Sequence, residues 1–357
     1  MVRKILTVIT LILLAVVIWG AHDQIFQAVS YFDPNSPEHI NIIIVLLLIP
    51  EQLFMYYCAG QMFFSYMRAK KNAKKISPWD LMRVSLELNF VNHAIPSGGV
   101  SGLGYIAWRL NGFGTTPGQV SFMYMLRYAI TICANQFQTI VAIIFLLLFG
   151  ALTPTMHWIV WAVALMSVGI IAAIAIAVVI ASSRKRVDWF SGVATKFLDF
   201  VVRKVTFGHR KTAIPYDTIH KYFIDLHEDL LTARRNKHII IRPIIWGIVY
   251  SFLEVATYWI VGISLGHPEI LPQIMVAEAI GSVFGAVLPL PGGVGGYEGS
   301  MIAMMALLGV SIDLATAVVI TTRVIVLSST ILSGYGFYQH AISKIGKKDM
   351  KKIQEGK

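Results

Sequence analysis

Six long apolar segments, at residues 5–21, 41–66, 118–149, 158–181, 241–265 and 314–338, alternate with shorter polar connections. At about 1.5 Å per helical residue, each is long enough to cross the hydrocarbon core of a bilayer as an α-helix. The pattern predicts an all-α, polytopic integral membrane protein forming a single membrane domain over residues 1–357. Two further apolar stretches, 78–117 and 268–313, are broken by proline and glycine. The first break reads Pro96-Ser97-Gly98-Gly99-Val100-Ser101-Gly102, and the second Pro289-Leu290-Pro291-Gly292-Gly293-Val294-Gly295-Gly296-Tyr297-Glu298-Gly299. Such breaks persist at membrane depth only where neighbouring protein or a water-filled cavity satisfies the freed backbone groups. Two of them at corresponding places are the pattern of a transporter.

Charge sets the orientation. Lys and Arg cluster after the second segment (Arg68, Lys70, Lys71, Lys74, Lys75), the fourth (Arg184, Lys185, Arg186) and the last (Lys344, Lys347, Lys348). The connections 22–40, 150–157 and 266–273 contain neither residue. By the positive-inside rule both termini are cytoplasmic, and the protein is a multi-pass component of the cytoplasmic membrane. The first segment follows Arg3 and Lys4 and lacks a clear small-residue cleavage site, so it is expected to be a retained helix. With these flanks, 78–117 enters and leaves from the cytoplasm, whereas 268–313 enters and leaves from outside. Parity is satisfied equally by re-entrant hairpins and by pairs of short crossings; the short arms and Pro/Gly tips favour re-entrant hairpins of opposite orientation. Region 183–240 is more polar. Its apolar residues, Phe190, Val193, Phe197 and Phe200, then Ile219, Tyr222, Phe223, Leu226 and Leu230, recur with helical period. It is expected to be a cytoplasmic amphipathic hairpin, lying on the membrane surface or capping the bundle.

The composition removes other classes. Of 357 residues, 56% are hydrophobic and 14% charged, which leaves no room for a soluble-domain reading. The net charge of +11 sits in short segments beside apolar runs, where it orients the chain and meets anionic lipid, and nucleic acid is not an expected partner. Cys58 and Cys133 fall inside apolar segments, so no disulfide framework is indicated. His220, His227 and Glu228 lack any metal-ligand spacing, and neither a metal nor a cofactor is expected.

Ionisable residues within a bilayer are costly and mark candidate sites. They are Glu51, Glu87, Glu254, Glu278, Glu298, Arg109, Arg127 and Arg323. Arg127 and Arg323 each lie about ten residues into a long segment, too deep to reach an interface, by the rise of a helix. Mutual neutralisation within the bundle is the competing structural explanation, and Arg109 and Glu278 are better read as snorkelling to an interface. The broken tips add a second feature. A half-helix beginning at a glycine-rich break presents unpaired N–H groups and a positive dipole end, suited to phosphate or carboxylate. Arg127 and Arg323, with the backbone around Gly98 and Gly293, are therefore expected to hold a lipid phosphate. Glu51, Glu254 or Glu298 would neutralise the arginines or a headgroup amine.

The sequence from Pro289 to Gly309, continuing through Ala315 to Arg323, resembles the second signature of the lysylphosphatidylglycerol synthase transmembrane family. Pro291, Gly292, Gly293, Gly295, Glu298 and Arg323 match it residue by residue, and Tyr297 lies within the same string. The first signature is present in outline as Asn92, Pro96, Gly98, Gly99 and Arg127. It departs where relatives carry acids, since Gly102 or Leu103 and Leu126 stand there instead, which removes a partner for a cationic headgroup. The resemblance implies a flippase-like lipid translocase with a cavity between two halves, and no catalytic activity. Its partner would be a membrane phospholipid or lipid-linked headgroup, anionic or aminoacylated, and a homo-oligomer is compatible with it. Few residues follow Gln339, too few for an aminoacyltransferase domain, so any modified lipid would come from a separate enzyme. The alternatives are an ion-coupled transporter of a small anion, which uses the same inverted hairpins, and an integral-membrane transferase, for which no clustered Asp/His/Glu motif appears.

Overall fold

The computed structural model describes residues 26, 30, 31, 33, 39–69, 77–94, 100–111, 115, 117–148, 157–205, 215–287 and 296–354. They form α1 (Ile42–Val45), α2 (Leu48–Ala69), α3 (Pro78–Ala94), α4 (Val100–Asn111), α5 (Pro117–Leu148), α6 (His157–Ala181), α7 (Arg184–Val205) and α8 (Tyr216–Arg235). There follow α9 (His238–Ser264), a 3-10 turn (Pro268–Ile270), α10 (Leu271–Val287), α11 (Gly296–Leu307) and α12 (Ile312–Gln354). Among the described residues there is no strand. The protein is a polytopic all-α membrane protein.

Local sequence explains the helix ends. Pro50 lacks an N–H and its ring crowds the carbonyl four residues back, so the helix breaks at Leu46 and Leu47, between α1 and α2. Ser77 caps α3, its hydroxyl accepting from the Asp80 N–H at 3.1 Å and donating to the Asp80 carboxylate at 2.8 Å. Gly266 and Gly309 close α9 and α11 at φ of 86° and 89°, a left-handed conformation that a side chain would strain.

Among the described residues, five helices are long and apolar enough to cross a membrane: Ile42–Arg68, Gly118–Leu148, Trp161–Ala181, His238–Ser264 and Ile312–Ser343. They coincide with five of the six expected segments; the sixth, 5–21, lies outside the described residues. The two broken stretches become matched helix pairs. Each has a first arm of 17 residues, α3 or α10, and a second arm of 12, α4 or α11. At about 25 and 18 Å, all four arms are shorter than the roughly 30 Å hydrocarbon core. The tips, with Pro96, Gly98 and Gly99 in one and Pro291, Gly292, Gly293 and Gly295 in the other, lie outside the described residues.

An internal repeat follows from this order. Each unit runs long helix, 17-residue arm, 12-residue arm, long helix with a central arginine: α2 to α5 carries Arg127, and α9 to α12 carries Arg323. The units exchange contacts, because α3 packs against α12 while α10 packs against α5, and α2 lies along α9. Two core clusters are each centred on one unit and take in residues of its neighbours, Ala142 and Leu146 of α5 in one case and Ile239 of α9 in the other. Phe63, Tyr66, Leu81, Leu88, Ile106 and Met123 form one, and Tyr258, Ile274, Met301, Met305 and Val318 belong to the other. Glycines permit close approach to neighbouring backbone: a Cβ at Gly60 would stand 2.6 Å from the Leu81 carbonyl oxygen, and one at Gly334 2.7 Å from that of Leu86. Thus α3 is gripped between α2 and α12.

The amphipathic hairpin is α7 and α8, joined by Phe190 on Phe223 at 5.2 Å and by His220 Nε2 to Asp188 at 2.7 Å. Helix α8 caps the bundle. The Tyr66 hydroxyl donates to Asp229 at 2.5 Å, His227 Nδ1 meets the Ala181 carbonyl at 2.6 Å, and Asp225 sits against Gly118 at the start of α5. Helix α7 instead presents Trp189, Val193, Phe197 and Phe200 outward.

Candidate functional site

The two central arginines meet in one cavity between the two cores. It encloses about 340 Å³, a volume within the range of small-ligand sites but at its lower end. Six helices line it. Helix α2 supplies Gln52, Met55 and Tyr56; α3 supplies Asn89, Asn92 and His93; α5 supplies Arg127, Tyr128 and Thr131. Helix α9 contributes Tyr250, Glu254, Thr257 and Tyr258, α11 contributes Tyr297, and α12 contributes Thr322, Arg323, Val326, Leu327 and Thr330. Helical period places these polar residues on one face of otherwise apolar helices, as with Tyr250, Glu254, Thr257 and Tyr258.

The two arginines are held differently. Arg323 donates from Nε to Glu298 at 2.6 Å and lies 4.7 Å from the centre of the Tyr297 ring. Glu298 is 3% exposed, so this pair is a buried, charge-compensated unit fixing α12 to α11. Arg127 rests over the Phe63 ring at 4.9 Å, and among the described residues no carboxylate lies within ion-pair distance of it. A guanidinium held by an aromatic face presents its donor fork to an incoming anion. Among the described residues, the acid lining the cavity is Glu254.

Neutral groups complete the lining. Gln52 Nε2 donates to Glu51 at 2.9 Å and to Thr257 at 3.0 Å, so Glu51 stands one layer behind the wall rather than in it. Gln52 Oε1 has no hydrogen-bond partner among the described residues, and neither does Asn92 Oδ1, which faces Gly102. Buried acceptors of this kind favour a ligand that brings hydroxyl or ammonium donors. Asn92 also occupies the space beside Gly102, which together with the Tyr124 hydroxyl leaves no room for a Cβ there. The missing acid at that position is therefore accommodated by the amide.

Of the expected site residues, Arg127, Arg323, Glu254, Asn92 and Tyr297 line the cavity together. Glu51 and Glu298 support lining residues instead. Two expectations are corrected. Arg109 does not snorkel: its Nε donates to Glu87 at 2.9 Å, where Arg83 at 2.8 Å and the Tyr105 hydroxyl at 2.7 Å also converge, tying α4 to α3. Glu278 does not reach an interface either. It is 1% exposed, accepts from Gln138 at 3.1 Å and Ser282 at 2.6 Å, and belongs to a network continuing through Ser251 to Asn135. That network knits α5, α9 and α10. Neutral residues such as Gln52, Asn89, Tyr128, Tyr250 and Thr330 did not stand out in the sequence; only their spacing along α9 and α12 carried a signal.

Among the described residues no group of three or more His, Cys, Asp or Glu is placed to hold a metal ion. No curated protein and no solved structure matches the chain. The family model described as the lysylphosphatidylglycerol synthase TM region matches residues 4–334. With nearly the whole chain covered and its two central arginines brought into one cavity, the protein belongs to this family, a membrane domain associated with lipid synthesis and flipping.

Proposed function

We propose that the chain is a lipid translocase of the cytoplasmic membrane, with both termini inside and its two helix pairs re-entrant from opposite faces. It moves a phospholipid or lipid-linked phosphate between leaflets and makes or breaks no covalent bond. The observation that carries this reading is Arg127, a cation in an intramembrane cavity with no paired carboxylate among the described residues. A cation there without a contacting carboxylate is costly, and a phosphate on the guanidinium fork lowers that cost. Arg323, already neutralised by Glu298, adds a second donor face without adding net charge. The cavity of about 340 Å³ is suited to a headgroup and excludes two acyl chains, which therefore stay among the helices or in the bilayer. Gln52 supplies an acceptor for a headgroup hydroxyl or amine.

Purified protein in liposomes should accelerate headgroup translocation over empty vesicles. Headgroup-labelled phosphatidylglycerol, its lysyl ester, cardiolipin and a polyprenyl-linked glycan form the test set, and no acceleration with any of them overturns the proposal. Glu254 beside Arg127 in a small cavity also suits an ion-coupled carrier of a soluble anion. Uptake of inorganic phosphate into the same vesicles, without lipid movement, would establish that second reading instead.

A further inference from the structure

An apolar groove of about 440 Å³ runs between α2, α3 and α12, walled by residues such as Leu53, Leu86 and Phe337. From Ile325 to Phe337 it follows α12 for about 18 Å, comparable with the hydrocarbon depth of one leaflet, about half of a 30 Å core. An apolar groove on a membrane helix is by itself ordinary contact with lipid. This one is different because Gln52, Tyr56, Val326 and Thr330 line both the groove and the polar cavity. Gln52, Tyr56 and Thr330 are 9%, 6% and 3% exposed, so they are screened from lipid surrounding the protein. Tyr56 of α2 and Thr330 of α12, whose hydroxyl donates to the Val326 carbonyl at 2.7 Å, form a polar threshold between the two spaces. The buried Oε1 of Gln52, without a partner, stands at that threshold.

The repeat provides an internal comparison. The equivalent position in the second unit, between α9, α10 and α5, also holds an apolar pocket, of about 280 Å³, lined by Val141, Phe252 and Trp259 among others. It shares no lining residue with the polar cavity. Among the described residues, the groove on the α2–α3–α12 side is thus continuous with the cavity and its counterpart in the second unit is not.

We propose that this groove is an acyl-chain site: one chain of the bound lipid lies in it while the phosphate sits at Arg127, with the glycerol region crossing the Gln52–Tyr56–Thr330 threshold. The proposal rests on the lipid reading above and adds where the hydrocarbon goes and by which side the lipid enters or leaves. A lipid held this way keeps its chain in an apolar environment while its charge is in the cavity, so neither part is transferred into an unfavourable medium.

Photolabelling tests it directly. The protein is placed in nanodiscs containing phosphatidylglycerol with a diazirine in the middle of one acyl chain, irradiated, and mapped by peptide mass spectrometry. Label is expected on buried Tyr56 or half-buried Val326 as well as on Leu53; label confined to exposed residues away from the groove, such as Trp161 and Leu165, means surrounding lipid only and overturns the site. A second measurement uses Ser329→Trp, which fills the groove from its exposed rim. This variant should lose tenfold or more in phosphatidylglycerol translocation while its calorimetric affinity for glycerol 3-phosphate stays within twofold of the parent. Unchanged translocation would remove the groove from the path. If the parent neither binds glycerol 3-phosphate nor moves lipid, the headgroup reading fails, and the labelling still decides whether a chain occupies the groove.

Discussion

At the residue scale, Arg127 and Arg323 occupy corresponding places in the repeat yet should respond oppositely to the same substitution. Arg323→Met strands Glu298, buried against Tyr297 and α12, and should destabilise the protein by about 3–5 kcal/mol, because an unpaired buried charge remains. Arg323→Met combined with Glu298→Gln should recover most of that loss. Arg127→Met removes a cation that has no ion-pair partner among the described residues, so thermal stability should hold or rise while translocation falls by about ten- to a hundredfold, the loss of a charged hydrogen-bonding group. Melting curves in detergent and liposome assays of the three variants separate these outcomes. Equal destabilisation by both single changes would place Arg127 in a structural pair after all. The two arginines and Glu254 were legible because a charge stands out in an apolar segment. The neutral wall was not, since Tyr, Thr, Asn and Gln occur in apolar helices for many packing reasons and gain meaning only when several helices turn them toward one space.

At the scale of elements, α3 depends on two glycine contacts that can be tested against an internal control. A Cβ at Gly334 meets the Leu86 backbone oxygen at 2.7 Å, whereas one at Gly336 meets nothing within 4 Å. Gly334→Ala should therefore cost about 1–3 kcal/mol through displacement of α3, while Gly336→Ala should stabilise by about 0.5–1 kcal/mol as alanine favours the helix. If the two variants melt alike, the close approach of α12 to α3 is wrong. Helix α7 makes a different expectation. Its outward stripe of Trp189, Val193, Phe197 and Phe200 lies on a helix carrying Arg184, Lys185, Arg186 and Lys196, the combination of an interfacial helix on an anionic leaflet. With Trp189 as the single tryptophan, brominated phosphatidylglycerol should quench its fluorescence strongly. A lack of quenching at any bromine depth would place α7 away from the membrane. The sequence period identified both amphipathic helices, but it left open whether they lay on the membrane or capped the bundle. The structure divides the tasks: α8 docks through Asp225, His227 and Asp229, and α7 keeps the apolar face.

At the scale of the whole molecule, two units enclose a polar cavity at their junction, and each lends its first short arm to the other's arginine-bearing helix. The sequence by itself determined the all-α class, five of its membrane-length helices, the two broken pairs and the arginines, because hydrophobic length, proline, glycine and isolated charge are local properties of the chain. It also carried the family resemblance, which depends on residues within two short strings. Only the tertiary structure decided that Arg127 and Arg323 share a cavity, that Glu298 compensates one of them, and that Glu87 and Glu278 serve packing networks rather than the site. Those outcomes depend on which helix faces meet across hundreds of residues, and periodicity fixes a face without fixing its partner.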